Sequence, residues 1–256
     1  MRRKMLRSFS LTLTSILSLM VFQQAALAGP PLICHPFDIG NARSLPWTGP
    51  VWSHIDKNYN INRLVEDTLG LLTPNTPVLV RMETLRRATV YGLMPTADRT
   101  VTSPVKDAAI ARDLLSSLQD RIPNPGIKSD KRTTAMALFD YGYLVESYKQ
   151  AGDGSQGPKL AGGVDGCGLI VQAIALGGAD PAMEFAAALA KWDRSGSHIA
   201  HLQKAAAGAP EGSLLARNLL SHFSNMGKTI GELRANVAKP TSCQVGSPGR
   251  VAAAYR

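Results

Sequence analysis

The sequence predicts an all-α protein built from stacked antiparallel helical hairpins, preceded by an extended, proline-rich N-terminal arm. Apolar residues recur at spacings of three and four along most of the chain, which is the period of one helix face. Capping residues and Gly or Pro breaks divide these stretches into segments joined by short turns. The weak strand candidate, 76–82, opens with Thr76-Pro77, which suits a helix start better.

Residues 1–28 have the organisation of a secretory signal peptide. A basic stretch (1–7) is followed by an apolar run (11–22) and by Ala26 and Ala28, which fit the small-x-small cleavage rule. Two glutamines end the run before the roughly 20 apolar residues that a bilayer-spanning helix needs. We therefore expect a periplasmic or secreted protein without a membrane span.

The net charge gives little reason to expect a nucleic-acid partner. The formal charge is +9, but four of the 28 basic residues and none of the 19 acidic ones lie in 1–28, so that +5 remains after cleavage. These charges are scattered and lack the basic stripe or recognised module of nucleic-acid-binding proteins. They indicate a weak preference for acidic surfaces.

Residues 29–52 form the predicted arm. Five prolines in this segment remove backbone donors and disfavour helix at the residues before them. Its apolar residues, Phe37, Trp47 and Trp52 among them, predict that the arm lies along the body of the protein instead of extending into solvent.

The three cysteines allow one disulfide and leave one thiol. Cys34 and Cys243 lie near the two ends of the mature chain, and chain termini are often close together in space. We therefore expect a Cys34–Cys243 bridge and a free thiol at Cys167.

The helical domain is predicted over 53–238, with a C-terminal tail over 239–256. Pro or Gly usually marks each helix boundary, and an apolar stripe runs along each segment. The predicted helices cover 60–72, 76–92, 103–122, 131–152, 166–178, 180–192, 197–206 and 210–223.

Charged residues on the second of these segments fit a solvent-exposed helix face. Glu83, Arg86 and Arg87 are three and four residues apart, as are many surface ion pairs on helices. Such pairs contribute about 0.2–0.5 kcal/mol each. The pattern predicts no isolated carboxylate pair of the kind that acid–base catalysis uses.

An internal similarity and two resemblances to known proteins accompany the hairpin prediction. The stretch 111–118 (ARDLLSSL) is similar to 216–223 (ARNLLSHF), and 131–193 resembles a degenerate tetratricopeptide-type hairpin. Through ICHPFDIGNARSLPW (33–47) and RMETLRRATVYG (81–92) the chain also resembles uncharacterised exported bacterial helical proteins. That resemblance implies no particular activity.

Cys167 is the candidate nucleophile. It follows Asp165 and begins the apolar run 166–178, and a helix N-terminus favours the thiolate form of a cysteine. The stretch VDGCGLIVQ resembles the Asp-Cys-Ser-Gly-Leu-Val stretch of exported cysteine peptidases that cleave bacterial cell-wall peptides. The resemblance implies a peptidase that uses Cys167 with His198 or His201.

The match departs from that family in two positions. Gly166 separates the aspartate from the cysteine, and Gly168 replaces the serine. One inserted residue rotates a helical position by roughly 100°. We therefore favour a buried thiol at a close helix crossing, which the glycines permit and which the helix over 180–192 shields.

Histidines supply the candidate metal ligands. His198 and His201 are three residues apart on a predicted helix and could share a metal with Asp193 or His222. Because a site needs three or four ligands, we favour polar surface residues and expect neither a metal nor a cofactor.

The favoured function is therefore a non-enzymatic exported scaffold that binds a peptide, a protein or a cell-envelope component. Stacked hairpins form extended concave surfaces. Tyr141, Tyr148 and Lys149 combine apolar area with polar tips and are the candidate groove lining. The alternative is the cysteine-dependent cell-wall peptidase.

Overall fold

The all-α class is confirmed by a computed structural model of the chain. In the described part every regular element is a helix, and a single isolated bridge joins Trp47 and Ile55. The residues that the structure describes are 31–52, 54–93, 108–124, 126, 128–151, 157–191 and 196–238.

Eleven α-helices lie in these ranges, and most coincide with a segment that the apolar spacing predicts. A 3₁₀ turn, Ile61–Arg63, leads into α2. The helices are α1 (Pro31–Cys34), α2 (Leu64–Leu71), α3 (Val78–Leu93), α4 (Ala109–Gln119), α5 (Lys131–Gln150), α6 (Gly157–Ala161), α7 (Gly166–Gly177), α8 (Pro181–Ala190), α9 (Ser197–Gly208), α10 (Leu214–His222) and α11 (Ile230–Ala238).

Side-chain caps fix where four of these helices begin. Asp130, Asp165, Asp180 and Ser213 precede α5, α7, α8 and α10, and each accepts a hydrogen bond from an amide of the first turn. The amides of a first helical turn have no partner within the helix, so a short polar side chain at this position stabilises the start.

The expected cap at Thr76 is not formed. Helix α3 begins at Val78, and the Thr76 hydroxyl instead donates to the carbonyl of Leu71 and accepts from the amide of Thr73. The side chain therefore closes the turn between α2 and α3.

Helix α5 is the centre of the fold. It contacts α1, α3, α4, α6, α7 and α8, and its residues from Ala135 to Tyr148 are all buried. A helix that is buried on every side is a core helix, whereas the units of a repeat stack contact only their neighbours. The stacking of hairpins therefore stays a prediction.

Helix α3 is the second buried helix, and it corrects an expectation. Every residue of α3 except Arg87 is buried, and Glu83 and Arg86 are 1% and 0% exposed. The predicted surface pairs are thus buried ion pairs, because the arm and α5 cover the face that carries them.

The arm packs on α3 and α5. Leu32, Ile33 and Phe37 are buried, and the amide of Leu32 donates to Gln150 at the end of α5. The expectation of a wholly extended arm is wrong at its start, where Pro31–Cys34 form one helical turn. Proline suits this first position, because the amide that it lacks would have no helical partner.

Several expectations fall outside the described residues. These are the signal peptide (1–28), the Ser103-Pro104 helix start and the tail (239–256) with Cys243. The Cys34–Cys243 bridge therefore stays a prediction. Of the helices described, none combines the length and apolarity that crossing a bilayer requires.

Candidate functional site

A cavity of about 430 Å³ lies between the end of α2, the start of α3, the residues after α4 and the first half of α5. This volume is within the range of about 300–1,000 Å³ that is typical of small-molecule sites. We call it the Asp140 cavity. Its wall consists of Leu69, Gly70, Leu72, Thr73, Pro74, Arg81, Arg121, Thr133, Met136, Ala137 and Asp140.

One face of α5 forms the base of the Asp140 cavity. Thr133, Met136, Ala137 and Asp140 follow one another at spacings of three, one and three, which places their side chains on the same side of a helix. This face contributes the single acid of the wall, Asp140.

Two arginines fix the end of α2 at the cavity. The Arg81 guanidinium donates to the carbonyls of Thr73 and Thr76, and the Arg121 guanidinium donates to those of Leu69 and Leu72 at 3.0 Å each. The last carbonyls of a helix have no partner within it and carry a partial negative charge, which explains the position of Arg121 at Leu69 and Leu72. Arg81 instead binds the turn between α2 and α3.

Arg81 also forms a buried ion pair with Asp140. Its Nη1 lies 2.5 Å from Oδ2 of Asp140, and the two residues are 1% and 3% exposed. The second oxygen, Oδ1, is buried and has no hydrogen-bond partner among the described residues. A buried acceptor without a partner costs about 1–3 kcal/mol, so this oxygen calls for a donor.

The electrostatics of the cavity are unusual for a carboxyl group beside an arginine. Burial raises the pKa of Asp140 to about 6, although the charges of Arg81 and Arg121 oppose the rise. Burial also lowers the pKa of Arg121, but a guanidinium group stays charged at any physiological pH. The cavity therefore holds two fixed positive charges and one weak acid.

The polar groups of the cavity wall are hydrogen-bond donors and acceptors. None of the residues in the cavity wall is a cysteine, serine, histidine or lysine. The groups that converge are guanidinium N–H donors, one carboxyl acceptor and two threonine hydroxyls. Such a set orients a polar ligand within an apolar wall.

The two tyrosines of the predicted groove lining are not on the surface. Tyr148 is 0% exposed and its hydroxyl donates to the carbonyl of Ala111 at 2.9 Å, while Tyr141 is 6% exposed. Lys149 is half-buried and its Nζ lies 2.9 Å from Glu146. These three residues belong to the central helix, where neighbouring helices occupy the area expected for a ligand.

Cys167 is shielded as its glycine neighbours predict. Its side chain is 2% exposed and its Sγ donates to the carbonyl of Ala190 in α8 at 3.5 Å. The Cys167 amide donates to Glu146 at 3.1 Å. The start of α7 is thus attached to both α5 and α8.

The glycines around Cys167 have two different functions. A Cβ on Gly166 would lie 2.5 Å from the carbonyl oxygen of Gly142, so this glycine permits the close crossing of α7 and α5. A Cβ on Gly168 would lie 2.6 Å from the carboxylate of Asp165, which caps the same helix. Gly168 therefore makes room for the cap, and not for a second helix.

Three donor atoms near Cys167 lie close enough together to hold a metal ion. One ligand atom each from Glu146, Asp165 and Cys167 falls within 4.8 Å of the others. However, the ammonium group of Lys149 lies 2.9 Å from the Glu146 carboxylate. A fixed positive charge at this distance already neutralises the carboxylate and repels a second cation.

His201 and His198 are not placed as partners of a nucleophile. His201 Nδ1 lies 2.5 Å from the buried carboxylate of Glu184, and its Nε2 lies 3.4 Å from Lys191. His198 is on the same helix, α9, and burial lowers the pKa of its imidazole. His201 thus belongs to a hydrogen-bond network between α8 and α9.

His222 belongs to the packing of the arm. Its ring stacks on Phe37 with centroids 4.8 Å apart and meets Phe185 edge-on, and burial lowers its pKa to about 4. In the part of the chain that the structure describes, the three histidines do not form a three-ligand cluster. Asp193 lies outside the described residues.

Sequence reasoning missed the Asp140 cavity, although two signals were present. Asp140 is a single acid within the apolar run MALFDYGYLV, and Arg81 follows the apolar stretch VLV. A lone charge on a buried helix face requires a partner, so each of them could have been identified. Arg121, at the end of α4, carries no such signal.

Comparison with protein-family models, with curated proteins and with solved structures found no match. The functional conclusion therefore depends on the chemistry of the cavity.

Proposed function

We propose that the protein is an exported helical scaffold that binds a peptide or a comparable cell-envelope component in the Asp140 cavity, without catalysis. The observation that carries this proposal is the buried oxygen Oδ1 of Asp140, which has no partner among the described residues and belongs to a residue that lines a cavity of ligand size. Buried polar groups are almost always hydrogen-bonded, and those that are not often mark functional sites.

Two further features support the proposal. Residues 1–28 have the basic, apolar and small-residue regions of a signal peptide, which favours export. The thiol of Cys167, on which the peptidase alternative depends, is buried between α7 and α8 and bonded to a backbone carbonyl. A catalytic thiol has to be accessible to its substrate.

The proposal is tested by blocking the cavity. Ala137 lines it and is 7% exposed, so Ala137→Leu places three additional carbon atoms in the ligand space. Ala175→Leu adds the same atoms at an exposed position of α7, outside the cavity wall, and is the matched control. Both variants should retain the helical circular dichroism spectrum of the wild type.

Binding is measured by calorimetric titration with short peptides and cell-wall peptide fragments. We expect at least one of these ligands to bind the wild type and Ala175→Leu equally, and to bind Ala137→Leu at least tenfold more weakly. If none binds, or if binding is unchanged in Ala137→Leu, the cavity is not the binding site.

A further inference from the structure

The charges that face the Asp140 cavity favour an anionic group on the ligand. Arg81 from α3 and Arg121 from the residues after α4 are permanently charged, whereas Asp140 from α5 is the single acid in the wall. At the rim, the Arg132 guanidinium donates to the carbonyl of Pro74. An added cation would face this positive surplus, and an added anion would reduce it.

Arg121 is the group that is placed to receive the anion. It is exposed, unlike Arg81, and its two described hydrogen bonds go to carbonyls of Leu69 and Leu72. A guanidinium group has five N–H donors in a planar fork that suits the two oxygens of a carboxylate. Donors therefore remain for a ligand after the structural bonds are made.

Asp140 requires a neutral hydrogen-bond donor and not an anion. Its Oδ2 is bonded to Arg81, and its buried Oδ1 needs one hydrogen-bond donor. A neutral N–H or O–H satisfies this oxygen without bringing another charge into the buried site, whereas an ammonium group would have to be desolvated there. A sulfate ion has only acceptors and leaves Oδ1 unsatisfied, so inorganic phosphate, which keeps an O–H donor at neutral pH, is included among the probes.

Most of the remaining wall is apolar. Leu69, Leu72, Met136 and Ala137 offer contacts to a small aliphatic side chain. The cavity thus combines a site for an anion, a site for a neutral donor and a site for a small apolar group.

Building on the proposed function, we propose that the ligand of this cavity is the free carboxyl end of a short peptide. Its carboxylate binds Arg121, the amide N–H of its last residue donates to Oδ1 of Asp140, and its last side chain contacts Met136 and Ala137. A 2-hydroxy acid shares the carboxylate and donor chemistry, and a comparison of analogues separates these sources.

The test is a calorimetric titration of the full mature chain with four organic probes and with inorganic phosphate. Acetyl-alanyl-alanine carries both the carboxylate and the amide N–H. Its carboxamide lacks the anion, and acetyl-alanyl-lactate has an ester oxygen in place of the last N–H. Lactate itself supplies a carboxylate and a hydroxyl without a peptide.

We expect acetyl-alanyl-alanine to bind, and the carboxamide and the ester each to bind at least tenfold more weakly. Affinity should rise from pH 5 to pH 7, because the ionised form of Asp140 accepts the N–H more strongly. Arg121→Gln should weaken binding at least tenfold, and Asp140→Asn should reduce the preference for the amide over the ester. The probe and pH comparisons use the wild-type chain and do not depend on the folding of a variant.

The outcomes separate this inference from the proposed function. If the carboxamide or inorganic phosphate binds as well as acetyl-alanyl-alanine and Ala137→Leu abolishes that binding, the cavity is a binding site but the carboxyl-end assignment is wrong. Lactate binding as tightly as the peptide would overturn the assignment in favour of a hydroxy acid. If no peptide, fragment or small anion binds in the cavity, both proposals fail.

Discussion

Two buried carboxylates, Glu83 and Asp140, both pair with arginines of α3, but their surroundings differ. Glu83 accepts four hydrogen bonds, two from Arg86, one from Arg87 and one from the amide of Phe37, at 2.7–3.0 Å. Asp140 has one bonded oxygen and one that is buried and, within the described part of the chain, has no partner. We call the first site closed, because both of its oxygens are hydrogen-bonded, and the second open, because one of its oxygens has no partner among the described residues.

The pKa values of the two acids are shifted in opposite directions, in agreement with this difference in hydrogen bonding. Burial alone would raise the pKa of Glu83, but the hydrogen bonds and charges of Arg86 and Arg87 outweigh it and lower the value. For Asp140 burial prevails and the pKa rises to about 6. A satisfied buried ion pair is a structural element, whereas an unsatisfied one in a cavity is a candidate binding group.

The closed site has an evident structural role. Arg86 donates to the carbonyls of Ile33 and Trp52, and its guanidinium lies 4.9 Å from the centre of the Trp47 ring. Arg87 donates to the carbonyl of Leu45. The Glu83 cluster thus attaches the arm to α3 at several points.

The largest loss of stability is expected from removing the negative charge of Glu83. Glu83→Gln leaves Arg86 buried without its carboxylate, and breaking a buried pair in this way costs about 3–5 kcal/mol. Urea unfolding should show a loss of that size. Glu66→Gln is the control, since its side chain is 77% exposed, and it should cost less than about 1 kcal/mol. A loss of similar size in both variants would mean that the Glu83 cluster does not hold the arm.

A smaller effect, with a characteristic pH dependence, is expected at Asp140. Its folded pKa lies above the unfolded value of 3.8, so the stability it contributes is fully present below pH 4 and is lost as the pH rises through about 6. The free energy of unfolding of the wild type relative to Asp140→Asn should therefore fall by up to roughly 3 kcal/mol between pH 4 and pH 7.5.

Glu83→Gln is the reference, because the stability that Glu83 contributes should change with pH in the opposite direction. Because the folded pKa of Glu83 is lowered, its contribution is present above the unfolded value of 4.5 and is lost as the pH falls further. If the free energy of unfolding of the wild type relative to Asp140→Asn rose with pH, as it should for Glu83, both acids would be closed sites and the comparison would be wrong.

The helices α7 and α5 cross closely at Gly166, and overpacking should destabilise this crossing. Gly166→Ala brings a methyl group within 2.5 Å of the carbonyl of Gly142 and should cost about 1–3 kcal/mol in thermal or urea unfolding. At Gly163 a Cβ meets nothing within 4 Å, so Gly163→Ala is the control. Equal stability of the two variants would contradict the close crossing.

The smallest effect is expected at Cys167. Its thiol is 2% exposed, so a small alkylating reagent should label it only on unfolding, from pH 5 to pH 9. The labelling is measured in the Cys34→Ala, Cys243→Ala background, so that Cys167 is the one thiol present. Cys167→Ser should lower the free energy of unfolding by about 1 kcal/mol, consistent with a packing role. Rapid labelling of the folded protein at pH 6 would instead support the peptidase alternative.

The helices were predictable from the sequence because their signals are local. The caps Asp130, Asp165 and Asp180 precede apolar stretches at helical spacing, and each begins a helix in the structure. The shielding of Cys167 by α8 was predictable as well, since glycines beside a small thiol favour a close crossing.

The burial of α3 and the Asp140 cavity were not predictable in the same way. Glu83, Arg86 and Arg87 have the spacing of surface ion pairs, and whether they face solvent depends on the arm, which lies about 40 residues away in sequence. The cavity depends on Arg121 meeting Asp140 across two helices. Spacing along one helix does not encode these tertiary contacts.

The most direct test of the open and closed sites is to titrate the two carboxyl groups by NMR. The side-chain ¹³C shifts of Glu83 and Asp140 are followed from pH 3 to pH 8, with Glu83→Gln and Asp140→Asn providing the assignments. The account predicts that Asp140 titrates near pH 6 and Glu83 below its usual range, and that acetyl-alanyl-alanine lowers the midpoint of Asp140 alone. Titration of both groups below pH 4, unchanged by the peptide, would contradict it.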